Sequence, residues 1–305
     1  MVKTSLSAKQ GKKGFYFILP WVIGFLAFQL FPIIYAFIIS LWDWDFLTEK
    51  TFVGIKNYLN LFKDKTFGIA VSNTFMFMIV GNGMGIALSM FLAAVMYEKI
   101  PGRNVFRVVL FMPQLVVPVA FGLMMVPIFG AEKYGLINVF LESIGLNSVR
   151  WLENPPVTRW VVVLMNFWFI GAAVVIFLAG IAGHPRSCYE AAEIDGAGWW
   201  RRFFSITVPL LRPVIFFQVI MGLIGGLQIF DIPAALSRMG SGLSTVMGKK
   251  DSLATLVYYI YISAFRRWEA GYAAAIGWFE FFIGFILTFV MVIFMRRQQK
   301  ENMGL

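Results

Sequence analysis

Six blocks of apolar residues, each about as long as a bilayer is thick, alternate along the chain with short polar segments that carry most of the Lys and Arg. A helical span needs about 20 predominantly apolar residues, because the hydrocarbon core is about 30 Å thick and each helical residue rises about 1.5 Å. The first block lies between Lys13 and Asp43, the second between Lys65 and Glu98, and the third between Arg107 and Glu132, none with a formal charge inside it. The fourth runs from Trp160 to Gly183. The fifth runs from near Pro213 to about Leu236 with Asp231 as its one acid, and the sixth from Gly271 to Met295 with Glu280 as its one acid. Trp42, Trp44, Trp151, Trp160, Trp268 and Trp278 stand at or near block ends, where interfacial anchoring places aromatics. The pattern predicts an all-α integral membrane protein with six transmembrane helices.

Residues 1–14 and 296–305 read as tails, 15–295 as the six-span domain, and 184–212 as a long loop inside it. The first block is about twice the length of a secretion-signal core and has no small-x-small cleavage site before Trp42, so it is expected to be a span. With the N-terminus inside, the inner segments hold 14 Lys and Arg in 65 positions and the outer ones 12 in 92, a bias that favours both termini in the cytoplasm.

Composition agrees with lipid as the main solvent: 59% of residues are hydrophobic, 14% are charged, and the mean hydropathy is +0.76. The net charge of +10 does not point to nucleic acid, since the basic residues are scattered between apolar blocks and form no patch beside aromatics. A lone Cys188 and a lone His184 supply neither a disulfide framework nor a zinc site, so no metal and no cofactor is expected.

The loop between the fourth and fifth blocks reads as a short helix, a glycine turn and a second short helix. Pro185 fits a helix start, Ser187 is a candidate cap, and Glu190 three residues on completes a capping-box pattern. Glu190 and Glu193, three apart, are expected to share a face, while Ala191 and Ala192 leave room for a partner's backbone. Asp195-Gly196 supplies the turn, and Trp199, Trp200, Phe203 and Phe204 form an apolar wedge beside Arg201 and Arg202. These features alone also describe an amphipathic loop resting on lipid headgroups.

The loop resembles the cytoplasmic signature of the membrane subunits of binding-protein-dependent ABC importers: Glu-Ala-Ala, Gly at the seventh position, and Ile-x-Leu-Pro from the seventeenth. Glu190-Ala191-Ala192, Gly196, Ile206 and Pro209 fall at those spacings, with Val208 in place of Leu. Leu19-Pro20, Phe31-Pro32, Ser40-Leu41-Trp42, the stretch Phe52 to Tyr58, Asp64, Phe67, Asn73-Thr74, Tyr258 to Tyr261, Ala264-Phe265 and Gly271 to Ala275 resemble the sugar-permease branch. The chain departs from that branch at Ser237 to Gly242, where a Thr-Gly-Gly-Gly-Pro-like stretch is usual.

The resemblance implies a type I importer transmembrane domain that does no chemistry itself. Its partners would be a second homologous permease subunit, two ATP-binding subunits and an extracytoplasmic solute-binding protein, in a bacterial inner membrane. Glu190, Ala191, Ala192, Asp195 and Gly196 would engage an ATPase subunit, and a sugar or related solute would be the cargo.

Two glycine patterns carry less. Gly242 and Gly248-Lys249-Lys250 fail as a phosphate loop, since five residues separate the glycines and Lys250 stands where Ser or Thr binds Mg²⁺. Gly81-x-x-x-Gly85 and Gly222-x-x-x-Gly226 mark close helix crossings. Polar groups at membrane depth are more informative, because a buried acid is costly unless it faces protein or water. Asp231, with Gln228 expected on the same helical face, is a candidate for the solute path, the alternative being a headgroup-level position beside Arg238. Glu280, about a third of the way into its span, and Asn166 are further candidates, for which helix–helix hydrogen bonding is the competing explanation. Two other classes, an ion-coupled secondary transporter and a non-transporting scaffold, leave the Glu-Ala-Ala loop unexplained.

Overall fold

The computed structural model describes residues 16–98, 101–130, 135–237 and 246–302. The N-terminal tail 1–14 and most of the departing stretch, 238–242, lie outside the described residues. Helix α1 (Tyr16–Ser40) leads into a two-stranded antiparallel hairpin, β1 (Trp42–Asp43) and β2 (Thr51–Phe52), then the short α2 (Lys56–Leu61) and the long α3 (Lys65–Tyr97). Next come α4 (Arg103–Leu115), α5 (Pro118–Met125), α6 (Leu136–Ser143), α7 (Pro155–Phe169) and α8 (Gly171–Ala182). The loop helices are α9 (Arg186–Ile194) and α10 (Trp199–Arg202). The chain ends in α11 (Arg212–Leu227), α12 (Asp231–Ser237), α13 (Leu256–Phe265) and α14 (Ala270–Asn302).

The protein is all-helical with up to six apolar crossings, but the crossings are not six straight rods. Helix α1, α3, the Arg212–Ser237 segment and the first 24 residues of α14 are each long and apolar enough to cross a bilayer, while α4/α5 and α7/α8 are pairs bent by 93° and 50°. The third block, expected as one run, breaks because Val117 precedes Pro118 and is forced extended at ψ 126°. The fourth tightens into a 3₁₀ turn at Phe167–Phe169 and resumes at Gly171, where a Cβ would lie 2.0 Å from the Leu110 carbonyl. Only glycine lets α4 cross there.

The fifth block breaks too. Its helix stops at Leu227 and restarts at Asp231, so Gln228 and Asp231 do not share one helical face as the sequence predicted. The cause is Pro233, which has no N–H to give the carbonyl of Ile229 four residues earlier. That carbonyl accepts instead from the hydroxyl of Thr255 at 2.6 Å.

Of the two glycine pairs, Gly222 and Gly226 mark a close crossing, whereas a Cβ on Gly81 or Gly85 would meet only ordinary contacts at 3.8 and 3.7 Å. A Cβ on Gly226 would fall 2.6 Å from Met78 and 2.7 Å from Asn82, and the Asn82 amide donates to the Gly222 carbonyl. These contacts seat α11 on the middle of α3. Buried residues form three clusters. One at the hairpin end includes Leu61, Phe67, Leu256 and Tyr259, a middle one includes Phe77, Val162 and Ile232, and one at the far end includes Phe177, Ile181, Phe203 and Leu211.

The family-like residues of the first loop are joints. Asn57 donates to the carbonyls of Ser40 (2.8 Å) and Trp42 (3.0 Å), and Tyr58 shares a hydrogen bond with the Ser40 hydroxyl at 2.7 Å. Asn73 reaches the carbonyls of Asp251, Ser252 and Ala254, while the Thr74 hydroxyl accepts the Leu256 N–H at 3.0 Å. Asp64 caps α3 by accepting the Thr66 N–H at 2.8 Å, and its second oxygen accepts from Tyr259 and, at 2.6 Å, from Tyr272. One carboxylate thus ties α3, α13 and α14 together.

Partial burial pushes the Asp64 carboxyl up, but the donors from Tyr259, Tyr272 and Thr66 outweigh it and hold the group below its ordinary range. A depressed folded-state pKa stabilises the fold above the unfolded value and is lost as pH falls through the folded one. Asp64→Asn is therefore expected to lower the melting temperature at pH 7 by about 2 °C or more, with the gap narrowing below about pH 4. Thermal melts of both proteins between pH 3 and 8 check this, and coincident curves would contradict it.

Candidate functional site

At the end of α3 opposite Asp64, roughly 50 Å away along a helix of this length, α9 and α10 form an exposed helical hairpin. Helix α9 starts two residues earlier than the capping-box reading placed it. Pro185 is the N-cap with extended ψ, Ser187 is already helical, and no side chain caps the end. The Glu190 carboxylate is consequently not folded back on its own backbone; it makes no hydrogen bond or ion pair among the described residues and is exposed. At its other end α9 closes through Gly196 at φ +72°, with Gly196 N–H bonded to Glu193 and Ala197 N–H to Ala192 (3.0 and 2.9 Å). That closure needs a left-handed residue, which glycine alone adopts without strain.

Glu190 and Glu193 have different surroundings. Glu193 faces back to Arg202 at 3.4 Å, and the same guanidinium approaches Glu98, at the end of α3, at 3.8 Å. The Arg202 side chain is 18% exposed, whereas its neighbour Arg201 is exposed. Tyr189 shares a hydrogen bond with Thr207 at 3.2 Å, and its half-burial pushes the phenol's pKa up, so it stays neutral. His184 bonds the Leu210 carbonyl at 3.0 Å. The wedge divides likewise: Trp199 stacks on the buried Phe203 at 5.2 Å, while Trp200 and Phe204 remain exposed. Tyr189 and the half-buried Ala192 face the bundle, leaving Glu190, Ala191 and Asp195 on the open side. The Arg202 bridge escaped sequence reading; its signal was a second charge of opposite sign just across the glycine turn from Glu193.

A second constellation lies between α11 and α14. A cleft of about 520 Å³ is lined by Gln228, Glu280, Thr288, Phe281, Phe285 and Leu227, among other apolar residues. Glu280, Gly284 and Thr288 recur every four residues along α14 and so share one stripe. Gln228 joins them because the fifth span stops helical winding there. By its rise Glu280 lies about 15 Å into the span, near mid-membrane. It has no hydrogen bond or ion pair among the described residues.

The other two candidates lie elsewhere. Asp231 opens α12, whose next five residues are buried against α5 and its neighbours, and it does not line this cleft. Asn166 donates to Val162 in its own helix at 3.0 Å and sits over Gly81. Among the described residues no group of His, Cys, Asp or Glu could hold a metal ion.

Bent apolar crossings, a mid-membrane cleft and a helical hairpin exposed at one end define a membrane-embedded transport domain. Residues 85–300 match the model of the binding-protein-dependent transport system inner membrane component, and the chain belongs to that family as a permease subunit of an ABC importer. It is 30% identical over 294 residues to the probable ABC transporter permease protein YesP of Bacillus subtilis, covering 95% of this chain and 93% of that one. It is 32% identical to the trehalose/maltose transport system permease protein MalF of Thermococcus litoralis, covering 95% and 93%. A bacterial ABC transporter involved in import of the acidic polysaccharide alginate shares the fold at TM-score 0.81 and 22% identity, covering 97% and 99%.

Replacing Arg202 by Ala is expected to free α9 from Glu98 and leave the bundle intact. Amide exchange over 186–194 should then quicken by roughly tenfold while the 212–227 segment is unchanged. Unchanged exchange in α9 would mean that the bridge does not hold the hairpin.

Proposed function

We propose that this chain pairs with a second, homologous permease subunit to enclose a path for a sugar or oligosaccharide, with two ATP-binding subunits on the cytoplasmic side and an extracytoplasmic binding protein delivering the solute. Both termini and the α9/α10 hairpin are then cytoplasmic. The printed functions of relatives support the cargo class: besides trehalose/maltose, a 34% identical relative in Bacillus subtilis is an arabinooligosaccharides transport system permease.

The observation that carries the reading is the division of labour on α9. One face is locked to the spans through Tyr189, Ala192 and Glu193, and the other offers Glu190, Ala191 and Asp195 with no partner among the described residues. A helix fixed to the spans and bare outward transmits a push from a partner into the bundle; a loop that merely rested on headgroups would not need the Arg202 bridge. Gln228 and Glu280 supply the polar part of the solute path. Asp231 and Asn166 lie on elements outside that cleft.

Breaking one charge-assisted, partly buried contact of Glu190 costs about 1.5–3 kcal/mol, roughly tenfold or more in affinity for the ATPase subunit. Co-purification of that subunit with Glu190→Lys and Gly196→Val, and solute-stimulated ATP hydrolysis by the assembled complexes, should both fall by that order. The chain without its partners should hydrolyse no ATP. Normal retention and stimulation in both variants would remove the hairpin from coupling.

A further inference from the structure

The fold does not set the charge of the cargo, since the same fold serves an importer of an acidic polysaccharide; the side chains of the path must. Among the described residues, thirteen line the cleft between α11 and α14, of which one, Glu280, is ionisable, and none is Lys, Arg or His. Glu280 has no cation beside it among the described residues, and the remaining polar groups are the neutral Gln228 amide and Thr288 hydroxyl, the latter donating to Gly284 at 2.8 Å and so free to accept. From these residues we infer that the path selects uncharged, polyhydroxylated solutes and rejects anionic ones such as uronates or sugar phosphates.

Two physical arguments meet in that statement. A solute carboxylate or phosphate entering a low-dielectric cleft whose one ionisable side chain is an acid loses hydration without gaining a cation or a donor pair, and any charge on Glu280 repels it. A neutral sugar meets the opposite situation. Its hydroxyls donate to Glu280 and Thr288, exchange both kinds of hydrogen bond with the Gln228 amide, and its C–H faces lie against Phe281 and Phe285. If Glu280 carried a proton, it would still present no cation to an anionic solute. The inference rests on the reading of this cleft as the solute path.

The test uses the assembled permease–ATPase complex in nanodiscs without binding protein, so that the selectivity measured belongs to the membrane subunits. Maltotriose, lactose and arabinotriose are titrated against di- and trigalacturonate, for the native chain, Glu280→Gln and Glu280→Lys. At least one neutral sugar should bind, the uronates at least roughly tenfold more weakly, with Glu280→Gln narrowing that gap and Glu280→Lys reversing it. Uronates binding the native complex as tightly as the neutral sugars would overturn the charge selection and leave the path in place. No binding of any sugar, with the solute-stimulated hydrolysis of the complete importer, binding protein included, unchanged in Glu280→Gln, would remove the path itself and the inference with it. Selectivity unaltered in both assembled variants would show that the groove does not read cargo charge, and would equally overturn the inference.

Discussion

In hydrocarbon an unpaired backbone carbonyl has no water to turn to, so every place where a span bends must be repaired by the chain itself. At the break in the fifth span this protein makes the repair with a Thr side chain, and Asn side chains take backbone carbonyls of other segments elsewhere. Thr255 takes the Ile229 carbonyl that Pro233 leaves free, Asn82 takes Gly222, Asn73 takes three carbonyls of the segment before α13, and Asn57 takes the two at the end of α1. Each repair joins two segments distant in sequence. The break in the fifth span and the tertiary fold are therefore one problem with one solution.

The two ends of the bundle are tied by carboxylates with different partners. At the hairpin end Asp64 gathers neutral donors, two tyrosine hydroxyls and a backbone N–H, into a short-range joint of three helices. At the other end Glu98 and Glu193 share one guanidinium, so the exposed helix α9 is fixed to the end of α3 by charge. Helix α3 is a single long helix that joins both ties and seats α11 at its middle.

How much of this the sequence declared depended on whether a feature was local. The apolar blocks, the Gly222/Gly226 crossing and the turn at Gly196 follow from composition over a few turns, and the structure has them. Pro118 was visible as a breaker, yet hydropathy averaged over the third block hid the 93° bend. The interruption at Gln228 is legible only when Pro233 is read together with Thr255, which lies in another segment. The capping box failed for a local reason, since Pro185 starts the helix before Ser187. Of the four polar residues picked out at membrane depth, Gln228 and Glu280 meet in one cleft, while Asp231 and Asn166 serve their own helices; side-chain direction across a break decides this, and periodicity does not encode it.

The central claim is that the open face of α9 is covered by an ATPase subunit. The chain's one cysteine, Cys188, is exposed on α9 three residues before Ala191 and reports on that face without any substitution. Maleimide labelling of Cys188 should be fast in the permease pair alone and strongly slowed once the ATPase subunits are added, with recovery when they are stripped away. Equal labelling rates in the two states would contradict the account.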